Sequence, residues 1–314
     1  MSGKSSKKEV VVGLVQNSVG PDMGKNFAKT ARLAERAAKK GAKIICLQEL
    51  YNTPYFPQYQ NVKKDPLTET IPGFSTEGFK KIAKKYGVVI IAPLYEKDKK
   101  GEYHNSAAVI DVTGKLLPTY HKIHIPQDPG FYEKDYFKEG DTGYRIYKTK
   151  FATFAVLICF DQWYPEAARE VRLQGAEIIF YPTAVADIIG YKHPNDWHDA
   201  WETVQRGHAI ANSVYVAAVN RVGREGQMLF YGQSFVSDPW GKILKRASKN
   251  KDEIIVQKLD LAYNQFLSEG WGFLRNRRPD TYKTILTNQL VEKSKKLKNV
   301  DHYQDEKKAL AGKK

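Results

Sequence analysis

Three residues of this 314-residue chain could together perform acyl transfer: Glu49, Lys122 and Cys159. A thiolate is the nucleophile in such chemistry, and at neutral pH it needs a base or a positive neighbour to form. A carboxylate in a partly apolar site can accept the thiol proton. An ammonium can hold the oxyanion of a tetrahedral intermediate, helped by the backbone N–H after the nucleophile, here that of Phe160. Taken singly, each residue has an ordinary explanation. A cysteine in an apolar strand is most often a small buried hydrophobe, and Cys46 reads that way. A glutamate at a strand end is usually solvated, and one lysine among many usually lies on the surface. Cys159 differs from Cys46 because the chain turns polar and aromatic directly after it, in "AVLICFDQWYPEAAR" (155–169).

The elements around these residues place them at strand ends, where α/β sheets bind ligands. Glu49 closes the apolar run "AKIICLQE" (42–49), Cys159 nearly closes "FAVLICF" (154–160), and Lys122 follows a hairpin-like segment, in "PTYHKIHIP". The chain also repeats its plan. In the first half a strand-like run (10–17) leads to a helix with Phe27, Ala31, Ala34 and Ala38 on one face, stopped near Gly41, and then to 42–49. In the second half 154–160 leads to a helix opened by Pro165, ended near Gly175, and then to "AEIIFYPT" (176–183).

The echo continues beyond that point. Ser75 is the expected cap of a helix carrying Phe79, Ile82, Ala83 and Tyr86, which leads to the run 88–96. Asp196 is the expected cap of a helix with Trp197, Trp201, Val204 and His208 on one face, which leads to 214–223. Hairpin-like segments follow at 105–120 and 232–247, with turns at "DVTGK" and "DPWGK". Nearly continuous apolar strands alternating with helices are covered on both faces. The expected fold is a four-layer α-β-β-α sandwich of two similar halves.

Composition narrows the function classes. The formal net charge is +15, which raises nucleic acid and anionic membranes as partners. The lysines are scattered and gather near the ends, as in "KSSKK" and "EKSKKLK", and no zinc-finger spacing, RNA-binding aromatic motif or long basic helix stands out. A solvated basic surface is the expectation, with neither nucleic acid nor membrane as a partner. Two cysteines in apolar runs are no secreted disulfide framework. The N-terminus lacks a secretory pattern and no stretch is apolar enough to span a bilayer. A cytoplasmic protein is expected. The pairs His193/His198 and His121/His124 bring no cysteine or carboxylate at a recognised metal spacing, and there is no P-loop or dinucleotide fingerprint. No metal or cofactor is expected. His208, on an apolar helix face, reads as a structural hydrogen-bonding residue.

The stretches "CLQELYNTPYFP" around Glu49, "YHKIHIP" around Lys122 and "LICFDQWYPEAAR" around Cys159 resemble, in that order, the nitrilase superfamily of carbon–nitrogen hydrolases. The resemblance covers roughly residues 8 to 285. It implies a single hydrolase domain over 9–285, preceded by a basic disordered stretch (1–8) and followed by a charged tail or oligomerisation arm (286–314). It also implies a Glu49–Lys122–Cys159 triad, a homo-oligomer (dimer or larger), and a second glutamate, Glu133, that hydrogen-bonds the lysine or orients substrate.

Within the superfamily, "CFDQWYPEAARE", "LQGAEIIFYPTA", "HDAWETVQRGHAIANSVYVAAVNRVG", "FYGQSFVSDPWGKIL" and "WGFLRNRRPDTY" are most similar to the branch acting on N-carbamoylputrescine. Phe160 departs mildly from the tryptophan usual there. That resemblance implies a cationic ureido substrate. Its pocket would have Tyr55 and Phe131 as aromatic walls, Phe160 beside the nucleophile, Asp161 and Trp163 after it either lining the pocket or holding its loop, and Asp187 as the acid reading the ammonium. A carboxylate-tailed substrate would call for an arginine near the site; none is clearly placed there, Arg206 and Arg221 being the two left open. Other amidases or carbamoylases of the superfamily, such as a β-ureidopropionase or an ω-amidase, are the near alternative. A non-catalytic basic scaffold is the remote one.

Overall fold

In the computed structural model, residues 8–191 and 197–287 are described. The expectations for the two chain ends, for His193 and for the Asp196 cap fall wholly or almost wholly outside them.

The first half runs β1 (Glu9–Gln16), α1 (Met23–Lys39), β2 (Ile44–Leu47), α2 (Phe74–Tyr86), β3 (Val89–Lys97), β4 (Tyr103–Ile110) and β5 (Tyr120–His121). The second runs β6 (Ile146–Lys148), β7 (Thr153–Val156), α3 (Pro165–Leu173), β8 (Ile178–Pro182), β9 (Ala186–Ile188), α4 (Trp197–Asn212), β10 (Tyr215–Val219), β11 (Val222–Glu225), β12 (Met228–Tyr231), β13 (Phe235–Ser237) and β14 (Ile243–Arg246). Then follow β15 (Glu253–Asp260) and α5 (Ala262–Trp271).

Local signals account for the helix ends. Asp22 caps α1, its carboxylate accepting the Lys25 N–H at 2.9 Å, and Pro165 occupies the first turn of α3, where its missing N–H costs nothing. Ser75 does not cap α2, contrary to expectation. Gly73 is the cap, because the Thr76 hydroxyl accepts its N–H at 2.8 Å. Ser75 sits inside the first turn and bonds Glu69 and Tyr51 instead.

Two six-stranded sheets result, ordered β15-β1-β2-β3-β4-β5 and β14-β13-β10-β8-β7-β6. In the first, β1, β2 and β3 are parallel and β4 antiparallel. In the second, β7, β8 and β10 are parallel and β13 antiparallel. The internal repeat is thus a repeat of sheet topology. A three-stranded sheet, β11-β12-β9, stands beside them.

Strand alternation builds the layers. Val12, Leu14, Ile44, Cys46, Val89, Ile91 and Val109 turn one way and share a core with Phe154, Val156, Ile179, Phe180 and Ala217 of the other sheet. Val15, Ile45, Leu47, Ile90 and Ile110 turn the other way, onto Leu33, Ala34, Ala37, Phe79, Ile82 and Ala83 of α1 and α2. Helices α3 and α4 contribute Ala167, Ala168, Val171, Trp201 and Ala209 to the core of the second sheet. The order of layers is α-β-β-α, as the sequence pattern implies. No helix among the described residues is long and apolar enough to cross a membrane.

Candidate active site

Both reactive ends lie just past their strands on strained backbone. β2 stops at Leu47, Glu49 follows, and Leu50 has φ +48°. β7 stops at Val156, short of the expected strand. Leu157 still donates to the Phe180 carbonyl at 3.0 Å, and Cys159 then opens a 3₁₀ turn (Cys159–Trp163) with its own φ at +44°. Left-handed backbone at a non-glycine residue costs about 1–3 kcal/mol and persists only where the surroundings hold it.

Asp161 does the holding at the cysteine. Its Oδ2 accepts from the Ile158 N–H at 2.8 Å and the Tyr120 hydroxyl at 2.7 Å. Its Oδ1 takes the His124 N–H at 3.0 Å and lies 2.7 Å from His124 Nδ1. The carboxylate is fully buried and spent on these contacts. It ties the cysteine turn to the segment carrying Lys122, so of the two places open to it, pocket lining or loop holding, these contacts serve the second. At the glutamate, Arg221 does the holding. Wholly buried, it donates to the carbonyls of Leu50 (2.6 Å), Thr53 (3.1 Å) and Glu49 (3.3 Å) and pairs with Glu225 at 2.9 Å. Arg221 is therefore committed to these carbonyls and to Glu225. Arg206 bonds the Gly241 carbonyl and Glu202, away from this centre.

Lys122 enters from the end of β5. Its N–H donates to the Asn105 carbonyl at 2.9 Å and its carbonyl accepts from Gly140 at 2.8 Å. That crossing is so close that a Cβ on Gly140 would lie 2.7 Å from the Lys122 oxygen. The Lys122 ammonium, fully buried, donates to Glu49 Oε1 at 3.0 Å and to Glu133 Oε2 at 2.5 Å. An ammonium has three donors, so one remains for another acceptor. Glu49 Oε1 also accepts from Asn105 Nδ2 at 2.7 Å, while Glu49 Oε2 is buried with no hydrogen-bond partner. Glu133 Oε1 accepts from the Tyr55 hydroxyl at 2.9 Å.

The charges act on one another at close range. Burial alone would lower the Lys122 ammonium, but the Glu133 and Glu49 carboxylates outweigh it and hold the cation well above its ordinary value. Burial pushes Glu133 up, with the Glu49 charge adding to it, and the Lys122 cation limits the rise. For Cys159, burial and the Glu49 charge raise the thiol well above its ordinary range. Lys122 and the N–H of Ala184, after β8, pull it down without overcoming that. The centre thus sets a thiol whose ionisation burial opposes beside a carboxylate held by an ammonium, an arrangement able to pass one proton as a nucleophile forms.

The remaining candidates are distributed unevenly. Tyr55, fully buried, packs on Phe131 and Phe230, with centroids 5.9 and 5.7 Å away. Phe131 is half-buried and next to Trp197. Phe160 is half-buried against Tyr164, which stacks on His124 at 3.6 Å. Trp163 is 37% exposed and joins none of these clusters through its ring. Asp187 is a correction. It is exposed on β9, while its neighbours Ala186 and Ile188 join Tyr55, Met228 and Phe230 in one apolar cluster. Alternation therefore turns Asp187 to the opposite face of that sheet from Tyr55. His208 is buried, and its Nε2 lies 2.8 Å from the Gln162 carbonyl, the structural place expected for it. Asn105, the Ala184 N–H and, in its backbone-bonding role, Arg221 have no signal in the local sequence. They meet Glu49, Lys122 or Cys159 only through the fold, although Arg221 and the strand "NSAAV" are visible as sequence.

The family model described as carbon-nitrogen hydrolase matches residues 11–267. Among curated proteins the chain is similar to the N-carbamoylputrescine amidase of Arabidopsis thaliana, at 41% identity over 91% of this chain and 98% of that one. It is similar to the citrullinase of Francisella tularensis at 39% identity, over 88% of this chain and 98% of that one. Among solved structures, a carbon-nitrogen hydrolase from Helicobacter pylori G27 superposes with a TM-score of 0.86 at 40% identity, covering 90% of this chain and 100% of that one.

Proposed function

Since the chain belongs to the carbon-nitrogen hydrolase family, we propose that it hydrolyses the ureido C–N bond of N-carbamoylputrescine to putrescine, carbon dioxide and ammonia through a covalent intermediate on Cys159. The observation that carries the reading is the buried Glu49–Lys122–Glu133 group beside Cys159, in which Glu49 Oε2 has no partner.

Glu49 Oε2 takes the thiol proton as the sulfur attacks the ureido carbon. The new oxyanion is held by the third Lys122 donor and by the Phe160 N–H. Glu49 returns the proton to the departing nitrogen, and a thioester-like carbonyl remains on Cys159. Water, deprotonated by Glu49, then attacks that carbonyl and the thiol leaves with the proton. The resulting carbamate decomposes to carbon dioxide and whichever of ammonia and putrescine did not depart in the first step. Glu133 keeps Lys122 protonated and aimed, and is itself fixed by Tyr55. Tyr55 and Phe131 supply an apolar wall suited to a four-carbon chain. The chain acts in the cytoplasm as a homo-oligomer, with this small molecule rather than a nucleic acid or a membrane as its ligand.

The citrullinase similarity favours one second reading, a ureido substrate whose tail is an amino acid instead of a simple ammonium. Amine and ammonia release from N-carbamoylputrescine, citrulline, N-carbamoyl-β-alanine and a simple ω-amide separates them. The expected result is the highest kcat/KM for N-carbamoylputrescine. Preference for citrulline would transfer the reading to the second substrate, and cleavage of the ω-amide alone would overturn both.

A further inference from the structure

We propose that the β3–β4 hairpin carries a site for a divalent transition-metal ion of the Zn²⁺ type, formed by Asp98 Oδ2, Glu102 Oε2 and His104 Nε2. It lies on the side of the sheet away from Glu49 and takes no part in the reaction proposed above.

The sequence "EKDKKGEYH" (96–104) creates the face. Lys97 pairs with Tyr103 and Glu96 with His104, while Asp98 donates its N–H to the Glu102 carbonyl at 2.9 Å. Alternation then puts Glu96, Asp98, Glu102 and His104 on one side of the hairpin. His104 Nε2 lies 3.8 Å from Asp98 Oδ2 and 4.0 Å from Glu102 Oε2. Both separations are too long for hydrogen bonds. Nitrogen and oxygen ligands about 2.0–2.2 Å from a tetrahedral Zn²⁺ stand roughly 3.4 Å apart, so an ion between these atoms needs them to close only slightly.

Two further observations point to a ligand. His104 is fully buried, yet neither ring nitrogen has a hydrogen-bond partner, and Glu102 Oε2 is also buried without one. Leaving such groups unmet is unfavourable, because each loses its bonds to water and gains none in return. The other carboxylate oxygens, by contrast, are anchored. Asp98 Oδ1 accepts from the N–H groups of Lys100 and Glu102, both at 2.8 Å. Glu102 Oε1 accepts from Lys138 at 2.5 Å. Anchoring one oxygen aims the other, as outer partners do around bound metals. The His104 ring is further oriented by stacking on His121 at 4.0 Å, and His121 is held by Asp141 at 2.8 Å and Glu96 at 3.2 Å. An ion here would brace β4 one residue from Asn105, the donor to Glu49.

The test is a titration of the full-length protein with Co²⁺ and Zn²⁺, read by calorimetry and by the visible Co²⁺ spectrum. The proposal expects one ion per chain, Co²⁺ bands of four-coordinate intensity, and a Zn²⁺-dependent rise in Tm reversed by chelator. Both His104→Asn and Glu102→Gln should weaken binding about tenfold or more. Glu102 is only partly buried, so Glu102→Gln keeps the test valid if the His104 variant does not fold. Absence of binding at about 100 times a micromolar Kd, or unchanged affinity in Glu102→Gln, would overturn the site. So would a thiolate-to-cobalt charge-transfer band, which would put the ion on a cysteine.

Discussion

Lys122 and Glu49 meet through a single oxygen: Nζ stands 3.0 Å from Oε1, and Oε2 is left without a partner. The lysine thus holds the carboxylate in place without occupying the oxygen that must take a proton. A carboxylate bound through both oxygens would be better satisfied and a poorer base.

Replacing that base tests the division of labour. Glu49→Gln keeps an oxygen for Lys122 and Asn105 but cannot accept a proton. We expect kcat to fall by about 10²–10⁴ with little change in Tm, measured by ammonia release and thermal melting. A loss below tenfold would remove Glu49 from proton transfer.

The thiol should be un-ionised in the free protein at neutral pH. Burial and the Glu49 charge favour the neutral form, so the folded pKa lies above the ordinary value of about 8.5. Thiolate absorbance in the ultraviolet, taken as wild type minus Cys159→Ala, should be absent at neutral pH and rise only in alkali. A thiolate plateau at pH 7 would instead indicate a preformed ion pair with Lys122. The sign carries over to stability. Because ionisation is harder in the folded state than in the unfolded one, this group's contribution is full below the unfolded pKa. It declines as pH rises from there toward the folded pKa.

Asp187 faces away from Tyr55, so it should not read the substrate tail. Asp187→Asn should leave KM for N-carbamoylputrescine unchanged within about twofold. A rise of tenfold or more with kcat preserved would return it to the pocket.

Asp161 holds the cysteine turn through bonds to Ile158, Tyr120 and His124. Asp161→Ala leaves those buried donors unmet, and about 3–5 kcal/mol of stability should be lost. Urea unfolding measures it. A loss under 1 kcal/mol would mean that the turn keeps its shape unaided.

Much of this was legible before the fold. Apolar runs of strand length, a proline at the start of α3 and glycines at helix ends mark the elements, and their order repeats because each half builds the same parallel core. Glu49 and Cys159 are readable because polar chemistry begins where apolar runs end; Lys122 follows a hairpin-like segment, and Glu133 rests on the family resemblance alone. Other features depend on contacts that no local pattern carries. Asp161 bonds Tyr120, 41 residues away, and Arg221 reaches Leu50 across 171 residues. The Asp187 expectation failed on strand alternation, since one residue of register separates the face of Tyr55 from solvent. Ser75 lost its cap to Gly73 because Thr76 reaches back to the backbone first.

The central claim is that Cys159 carries the acyl group. Its most direct test is the intact mass of wild type and Cys159→Ala, acid-quenched during turnover of N-carbamoylputrescine, followed by peptide mapping. The account predicts one adduct per chain, mapped to Cys159 and missing from the variant, with turnover abolished. An adduct on another residue, or amine release persisting in Cys159→Ala, would contradict it.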